Sequence, residues 1–273
     1  MADIMTKSRY HHLAWLHGVE VLEASFTNET FGRHSHEGFA IGAIAEGVAG
    51  YDFRGERTLL PPGTLSLMNP EEPHNGFSPT SLLRYNMIYA SEGAVHQILG
   101  LRKLHGFPAV APEDRSMLVS QALARLAGVL NQPQELNWKL RVEEAVHDAL
   151  ALCFVRYGKA QFHKAGSEAS AIKLLKEKIS AAVENEDEIS LSTLANTVQL
   201  SKSYLIRATR RATGQTPHGL VLKARTEKAH RLLLQKVPAA EAAVASGFYD
   251  QAHLIRQYRR RYGVTPGAII RHL

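Results

Sequence analysis

The chain is nearly free of cysteine, and its single residue of this type, Cys153, lies among apolar neighbours. One cysteine excludes an internal disulfide and any metal site built from several thiolates. An apolar surrounding is typical of a buried structural thiol rather than a reactive one. We therefore expect Cys153 to belong to a core.

Long apolar runs are also missing. No stretch approaches the roughly 18 apolar residues that a membrane-spanning helix needs. The first twelve residues, MADIMTKSRYHH, lack the apolar centre of a signal peptide. We therefore expect a cytoplasmic protein with no membrane partner.

Acidic residues are scarce in the C-terminal part of the chain. Residues 169–273 contain 17 Lys and Arg against 8 Asp and Glu, whereas residues 1–168 contain 15 against 18. A basic region joined to a mildly acidic one predicts that only the C-terminal part binds a polyanion. The alternative is a solvated basic surface without a partner.

The basic part contains an internal repeat. LIRATRRATGQTP at 205–217 recurs 49 residues later as LIRQYRRRYGVTP at 254–266, with eight of thirteen positions identical. Two copies at a fixed offset indicate one structural device used twice. Matching boundary residues flank the copies: Ser201 and Asp250 as N-caps, Gly214 and Gly263 as helix-ending glycines, and Pro217 and Pro266 as first residues of the next element.

Each copy predicts a short helix, a tight turn and a basic helix, the order of a helix-turn-helix unit whose second helix enters the major groove. Gln and Arg side chains suit bidentate contacts with adenine and guanine edges, and Arg near a helix end suits phosphates. Two such helices on one scaffold predict binding to two successive major-groove segments of double-stranded DNA.

Strand and helix signals divide the chain. Short apolar runs with turn signals over residues 19–90 favour an antiparallel sandwich or small barrel. Helical spacing then predicts helices at 115–131 and 136–157, followed by 168–184, 191–198, 202–213, 217–235, 239–246 and 250–262. We expect a multi-domain α and β protein: a β-barrel domain with flanking helices at 1–157, a linker at 158–167, and an all-α DNA-binding domain at 168–273.

With these motifs the chain resembles the AraC/XylS family of bacterial transcription regulators. The segment SGFYDQAHLIRQYRRRYGVTPG, residues 246–267, is similar to the C-terminal signature of that family, and residues 190–217 are similar to its first helix-turn-helix. The resemblance implies base contacts from Ser203, Ile206, Arg207, Gln251, His253 and Arg256. The predicted DNA-binding set also includes Lys202, Arg210, Arg211, Arg259 and Arg260.

Residues 31–78 resemble the cupin-like sensor domain of the same family. His34 and His36 share one strand face, and the fold would bring His74 close to them. Three histidines could bind a metal, but metal-binding cupins usually carry a Glu four or five residues after His-x-His, where this chain has Ala40 and Ile41. We therefore predict no metal and no cofactor.

The preferred interpretation of the three histidines is a hydrogen-bonding pocket for a small organic effector, with purely structural histidines as the alternative. Arg84 could pair with a carboxylate or phosphate of the effector, or face solvent. The predicted effector-binding residues are therefore His34, His36, His74 and Arg84.

These features predict a ligand-responsive transcription activator that is not an enzyme. The resemblance implies a homodimer formed through the helices at 115–131 and 136–157, and RNA polymerase as a further partner. The alternative for one of these two helices is packing against the barrel. One alternative is a metal-dependent cupin enzyme fused to a DNA-binding module; the absent glutamate and the lack of a nucleophile–base arrangement argue against it. Another is an architectural DNA-binding protein with a ligand-free barrel.

Overall fold

The structure, a computed structural model, describes residues 8–27, 30–101, 103–132, 136–162, 166 and 168–270, with only the backbone described at 269 and 270. Part of the predicted linker, residues 163–165 and 167, lies outside the described residues. No helix within these ranges is both long enough and apolar enough to span a membrane.

Nine strands come first along the chain: β1 (Arg9–His12), β2 (Val19–Phe26), β3 (Thr30–His34), β4 (Phe39–Glu46), β5 (Ala49–Phe53), β6 (Glu56–Leu60), β7 (Leu65–Met68), β8 (His74–Phe77) and β9 (Leu83–Ala90). A 3-10 turn at Arg115–Met117 and ten helices complete the described chain: α1 (Glu92–Leu99), α2 (Leu118–Leu130), α3 (Trp138–Arg156), α4 (Ala169–Glu184), α5 (Leu191–Thr197), α6 (Lys202–Thr213), α7 (Pro217–Leu234), α8 (Ala239–Ala245), α9 (Gln251–Tyr262) and α10 (Pro266–Ile270).

Contacts divide the chain into two compact units. The first unit contains residues 1–131 and 145–162, and the second contains 132–144 and 163–273. The division falls inside α3, whereas the sequence places the whole of this helix in the N-terminal domain. The physical reason is that Leu140, near the start of α3, is buried among the C-terminal helices. The predicted boundary at 157 stays a prediction.

The first unit contains two antiparallel sheets, with strand orders β1-β2-β9-β4-β7 and β3-β8-β5-β6. The predicted barrel is therefore an open pair of sheets rather than a closed cylinder. Strand β4 is buried on both faces from Phe39 to Ile44. Helix α2 packs on β4 and β9, and residues of β5 and β6 form a buried cluster with Ala40 and Ile44. The rings of Phe39, Phe107 and Phe154 form one cluster, with centroids 4.8–5.6 Å apart.

Two elements of the first unit lie outside the predicted set. The predicted strands begin at residue 19, which omits β1, and no helix is predicted at α1, whose N-cap Ser91 accepts from the backbone N–H of Ala94. Cys153 is fully buried, which confirms its expected structural role, and burial raises the pKa of its thiol.

The second unit is helical, and its predicted helices are confirmed to within about two residues at each end. Two buried clusters hold it together. One joins α4, α5, α6 and α7 around Leu175, Leu194 and Leu205; the other joins α7, α8 and α9 around Leu233, Phe248 and Leu254. Helix α7 contributes to both clusters and is the element that links the two repeats.

Candidate nucleic-acid interface and ligand cavity

The two repeats form the same local structure. Ser201 and Asp250 cap α6 and α9, accepting from the backbone N–H of Tyr204 and His253 at 3.3 and 2.6 Å. Gly214 and Gly263 end these helices with φ angles of 71° and 77°, which favour glycine. The predicted boundaries of both basic helices are confirmed.

The apolar faces of both basic helices are buried as the spacing predicts. Leu205 and Ala208 of α6, and Leu254 and Tyr258 of α9, have no exposed surface. Burial of these positions fixes which residues can project outwards, because side chains three and four positions apart share one helix face.

The outward face of α9 is open. Gln251, Arg256, Arg259 and Arg260 are all exposed. His253 is the exception: its side chain is 9% exposed and its ring lies 5.2 Å from that of Phe248. Four of the five predicted residues on α9 are thus available to a partner in this conformation.

The corresponding face of α6 is largely covered. Ser203 is 1% exposed and Ile206 is 0% exposed, although the sequence places both on the DNA-facing side. Arg207 is half-buried with its guanidinium 5.4 Å from the ring centre of Tyr204, and burial lowers its pKa. Lys202 forms an ion pair with Glu143 at 3.5 Å.

Arg210 and Arg211 lie at the end of α6 and are exposed. Both side chains can therefore contact a phosphate while Ser203 and Ile206 stay buried. A further arginine of the second copy, Arg261, is ion-paired with Glu227.

A positively charged cleft of about 330 Å³ opens beside α9. Arg141, from the part of α3 that belongs to this unit, lines it together with His253, Arg256 and Arg260. Three guanidinium groups in one cleft suit an anion such as a phosphate. Sequence reasoning missed Arg141, because nothing in the local pattern of α3 links it to the repeats.

In the first unit, the structure brings the three predicted histidines together. His34 on β3 and His74 on β8 are cross-strand partners. His36 comes just after β3, and the three ring centres lie 4.5–5.2 Å apart. The prediction that a separate segment supplies His74 next to His34 and His36 is confirmed.

Burial favours the neutral form of two of these histidines, His36 and His74. Burial lowers the pKa of His36 to about 4, with smaller contributions from His74 and His34, and burial also lowers the pKa of His74. The Nδ1 atoms of His34 and His74 lie 2.7 and 2.9 Å from the carbonyl oxygens of Gly32 and Glu72. A carbonyl only accepts, so Nδ1 of both residues carries a proton. In the neutral form of His74 the lone pair is therefore on Nε2.

These histidines line a cavity of about 170 Å³. Its other walls are mainly apolar and aromatic, with Phe31, Tyr51, Tyr85 and Met87 among them. The hydroxyl of Tyr51 is buried and has no hydrogen-bond partner among the described residues. A buried polar atom is normally hydrogen-bonded, so this hydroxyl can form a hydrogen bond with a ligand group.

Arg84 does not line this cavity. Its guanidinium pairs with Glu46 at 3.0 Å and is partly exposed. Its neighbours Leu83 and Tyr85 do line the cavity, because successive side chains of a strand point to opposite faces. The alternation of Leu83, Tyr85, Met87 and Tyr89 along β9 is the sequence signal that could have separated Arg84 from the cavity.

The same three histidines could hold a metal ion. One nitrogen of each lies within 4.8 Å of the others, and neutral imidazole is the form that ligates metals. The donor set consists of three histidines without a carboxylate: Ala40 and Ile41 stand on β4 at the positions where metal-binding cupins carry Glu. Three protein ligands leave a fourth position open, as in metal sites that accept an outside ligand.

Comparison with known families assigns both units. The family described as the AraC-like ligand binding domain matches residues 16–150, and a helix-turn-helix domain family matches residues 194–272. The first match includes the residues that line the cavity, and the second includes both basic helices, α6 and α9, which we call the recognition helices.

Individual relatives are similar over most of the chain. The uncharacterized HTH-type transcriptional regulator YbfI of Bacillus subtilis is 26% identical, over 83% of this chain and 82% of its own. The HTH-type transcriptional activator RhaS of Enterobacter sp. strain 638 is 22% identical, over 93% and 92%. A solved structure, a probable AraC family transcriptional regulator from Rhodopseudomonas palustris, is 24% identical with a TM-score of 0.35, over 38% of this chain and 96% of that one.

Proposed function

The chain belongs to the AraC family of transcriptional regulators, and on this basis we propose that a small molecule bound at His34, His36 and His74 controls how α6 and α9 engage promoter DNA. The protein is a DNA-binding transcription regulator with an AraC-type ligand-binding domain. Our proposal adds the position of the ligand, the DNA-contacting residues and the direction of regulation.

On the DNA side, exposure and chemistry support two roles for α9. Gln251 and Arg256 lie near its beginning and suit hydrogen bonds to base edges, whereas Arg259 and Arg260 lie near its end and suit phosphates. Lys202, Ser203, Ile206 and Arg207 of α6, together with His253, are proposed to contact DNA once their faces are free. Arg210 and Arg211 are proposed to contact phosphates.

The observation that carries the effector proposal is the chemistry of the cavity. Ring nitrogens of His34 and His74 and the unpartnered hydroxyl of Tyr51 line one cavity whose remaining walls are mostly apolar. At about 170 Å³ it is smaller than typical drug-sized pockets of about 300–1,000 Å³. We propose an effector that is small, mainly apolar, and donates hydrogen bonds, as an alcohol does.

The test measures the response of a reporter fused to a promoter that the protein binds in its own genome. Candidate effectors come from the thermal shift of the purified protein. His36→Ala and His74→Ala should abolish the dose response and leave effector-free DNA affinity unchanged, because both residues lie in the ligand-binding unit. Arg84→Ala should respond normally because its side chain pairs with Glu46. A normal response in both histidine variants would place the effector elsewhere.

A metal ion is the second candidate for this site, favoured by three ring nitrogens, one from each histidine, that lie within 4.8 Å of one another. Elemental analysis and zinc titration of the purified protein separate the two candidates. Stoichiometric zinc that is lost in His34→Ala and retained in Arg84→Ala would support the metal, whereas no binding in wild type would support the organic effector alone.

We also propose that the protein activates transcription in the cytoplasm as a homodimer that contacts RNA polymerase, and that it catalyses no reaction. The support is the similarity to the activator RhaS over nearly the full length of both chains. The helices at 115–131 and 136–157 are the proposed dimer contacts. Sedimentation velocity measures the oligomeric state, and a monomer at all concentrations would contradict this part of the proposal.

A further inference from the structure

The two recognition helices differ in exposure at matched positions. Forty-nine residues separate equivalent positions of the repeats, so Ser203, Ile206 and Arg207 of α6 correspond to Ala252, Ile255 and Arg256 of α9. Ser203 and Ile206 are buried and Arg207 is half-buried. On α9, Ala252 and Arg256 are exposed and Ile255 is half-buried. Another part of the protein therefore covers the face of α6 that corresponds to the exposed face of α9.

Residues 136–144, which we call the docked segment, pack against this part of α6. The carbonyl oxygen of Leu136 accepts from Arg225 of α7 at 2.9 Å, and Asn137 Oδ1 accepts from the backbone N–H of Ile189. Leu140 is buried in the same cluster as Leu205 and Ile206 of α6. The docked segment thus fastens to the loop before α5, to α6 and to α7, all within one unit.

Two acidic residues of the docked segment occupy places that suit phosphates. Glu143 pairs with Lys202 in the first turn of α6. Glu144 Oε1 accepts from the backbone N–H of His218 at 2.7 Å, in the first turn of α7. Lysine and the N–H groups of a helix N-terminus are common phosphate ligands in nucleic-acid complexes. Glu143 and Glu144 therefore present carboxylates where a DNA backbone would present phosphates.

We propose that the docked segment, residues 136–144, is an internal competitor of DNA: while it is bound, only the second helix-turn-helix can read a major groove, and engagement of the first requires the segment to leave α6. This inference rests on the proposed DNA-contacting roles of α6 and α9. Since the segment and DNA use overlapping positions, binding of one disfavours the other, and any ligand that binds the docked and released states unequally shifts DNA affinity.

The first experiment weakens docking by a charge reversal at Glu143. Glu143→Lys places a like charge opposite Lys202 in the full-length protein. The matched control is Glu177→Lys, which makes the same charge change at an exposed position of α4. Both variants and wild type are used to select ligands from a pool of random-sequence duplexes, and the affinities for the selected duplexes are measured at one salt concentration.

Glu143→Lys should bind about tenfold tighter than Glu177→Lys or better, since the unfavoured state of such an equilibrium is typically populated at about 0.1–10%. Its selected motif should contain two conserved segments about one helical turn apart, against one in wild type. Equal affinities and identical motifs for the two variants would overturn the proposal.

The second experiment detects release of the segment directly. Trp138 lies in its first half and is buried, and Trp15 of the other unit is the only other tryptophan. In Trp15→Phe, saturation with the duplex selected by Glu143→Lys should shift the emission of Trp138 to longer wavelength and increase its quenching by acrylamide. Trp138→Phe, which retains Trp15, should show neither change. Unchanged Trp138 emission in a saturated complex would overturn the proposal. If Glu143→Lys failed to fold, the milder Glu143→Gln, which removes the ion pair with Lys202, would be used to select the duplex.

The proposed DNA contacts of α9 and the proposed competition by the docked segment can be tested separately. If Arg256→Ala bound every duplex as wild type does, the groove assignment of α9 would be wrong and the proposed DNA contacts would fail. If Arg256→Ala lost specificity while Trp138 stayed buried in the complex, the DNA contacts would stand and the competition by the docked segment would fail.

Discussion

The two repeats of the second unit share eight of thirteen residues and the same caps, yet one recognition face is covered and the other is open. Ile206 is fully buried beside residues of the docked segment, whereas Ile255 is half-buried and Arg256 is exposed. Local sequence therefore determines that two similar helices form. Which of them can meet DNA is determined by residues 136–144, more than 50 positions before the first copy.

The largest effect is expected from substitution of Arg225, which contacts both the docked segment and the second repeat. This side chain is 1% exposed, donates to the carbonyl of Leu136, and lies against Gly247 of the second repeat. Arg225→Ala should lower the free energy of unfolding of the second unit by about 3 kcal/mol, because it leaves a cavity and removes a hydrogen bond from a charged donor. Urea unfolding monitored by helical circular dichroism measures the loss.

Arg231→Ala on the same helix is the control. Arg231 is exposed and ion-paired with Glu184, so its removal should cost about 0–1 kcal/mol. Similar losses for the two variants would mean that Arg225 does not join the docked segment to the repeats.

The second prediction compares equivalent arginines in DNA binding. Arg256→Ala should reduce discrimination at particular base pairs by about 1–3 kcal/mol. Arg207→Ala should reduce this discrimination by less in wild type. Without the Arg207 contact, the protein can still bind DNA through α9 while the docked segment stays on α6. In the Glu143→Lys background the two substitutions should cost similar amounts. Competition assays with single-base-pair variants of the selected duplex measure both, and equal costs in wild type would show that both repeats are equally available.

The third prediction concerns the pH dependence of stability. His218 directly follows the first repeat, and the second repeat is followed by a glycine instead. His218 is buried, and Gly267 at the equivalent place is exposed. Burial, with smaller contributions from the positive charges of Arg141 and Arg225, lowers the pKa of His218 to about 3. Its pKa in the unfolded chain is about 6.5. Below pH 6.5 the unfolded chain binds a proton that the folded protein does not, so the free energy of unfolding is constant above about pH 6.5 and declines as pH falls towards 3.

Between pH 7.5 and pH 5 this residue should account for a loss of about 2 kcal/mol in the free energy of unfolding of the second unit. His218→Asn should remove that share of the pH dependence, because the other titrating groups are common to both proteins. Denaturant unfolding at the two pH values gives the difference, and parallel curves for variant and wild type would contradict the assignment.

The smallest expected effect compares the turns of the two helix-turn-helix units. Gly247 and Gln199 both have positive φ, at 76° and 54°. A Cβ on Gly247 would also lie 3.0 Å from Nε of Arg225. Gly247→Ala should therefore destabilise the unit by about 1–2 kcal/mol, whereas Gln199→Ala, already a residue with a Cβ, should stay within about 0.5 kcal/mol. If the two variants melted alike, the turn of the second repeat would not be constrained by Arg225.

Much of the fold could be predicted from sequence, for identifiable reasons. Cap residues, helix-ending glycines and the spacing of Leu205 and Leu254 are local signals, and they predict α6 and α9 closely. The spacing of His34 and His36, with the fold expected to add His74, correctly predicts a histidine cluster. The role of Arg84 in effector binding stays a prediction. Its side chain pairs with Glu46, because Arg84 alternates along β9 with the residues that line the cavity.

The sequence by itself determined the kinds of elements, the two repeats, the charge difference between the halves and the residue types at both sites, because these depend on local propensity and spacing. Tertiary structure alone decided that the sheets stay open, that Tyr51 and three histidines share one cavity, and that residues 136–144 pack on one of two similar helices. Burial, pKa and access to a partner depend on which distant residues pack together, and no local pattern of side chains encodes that.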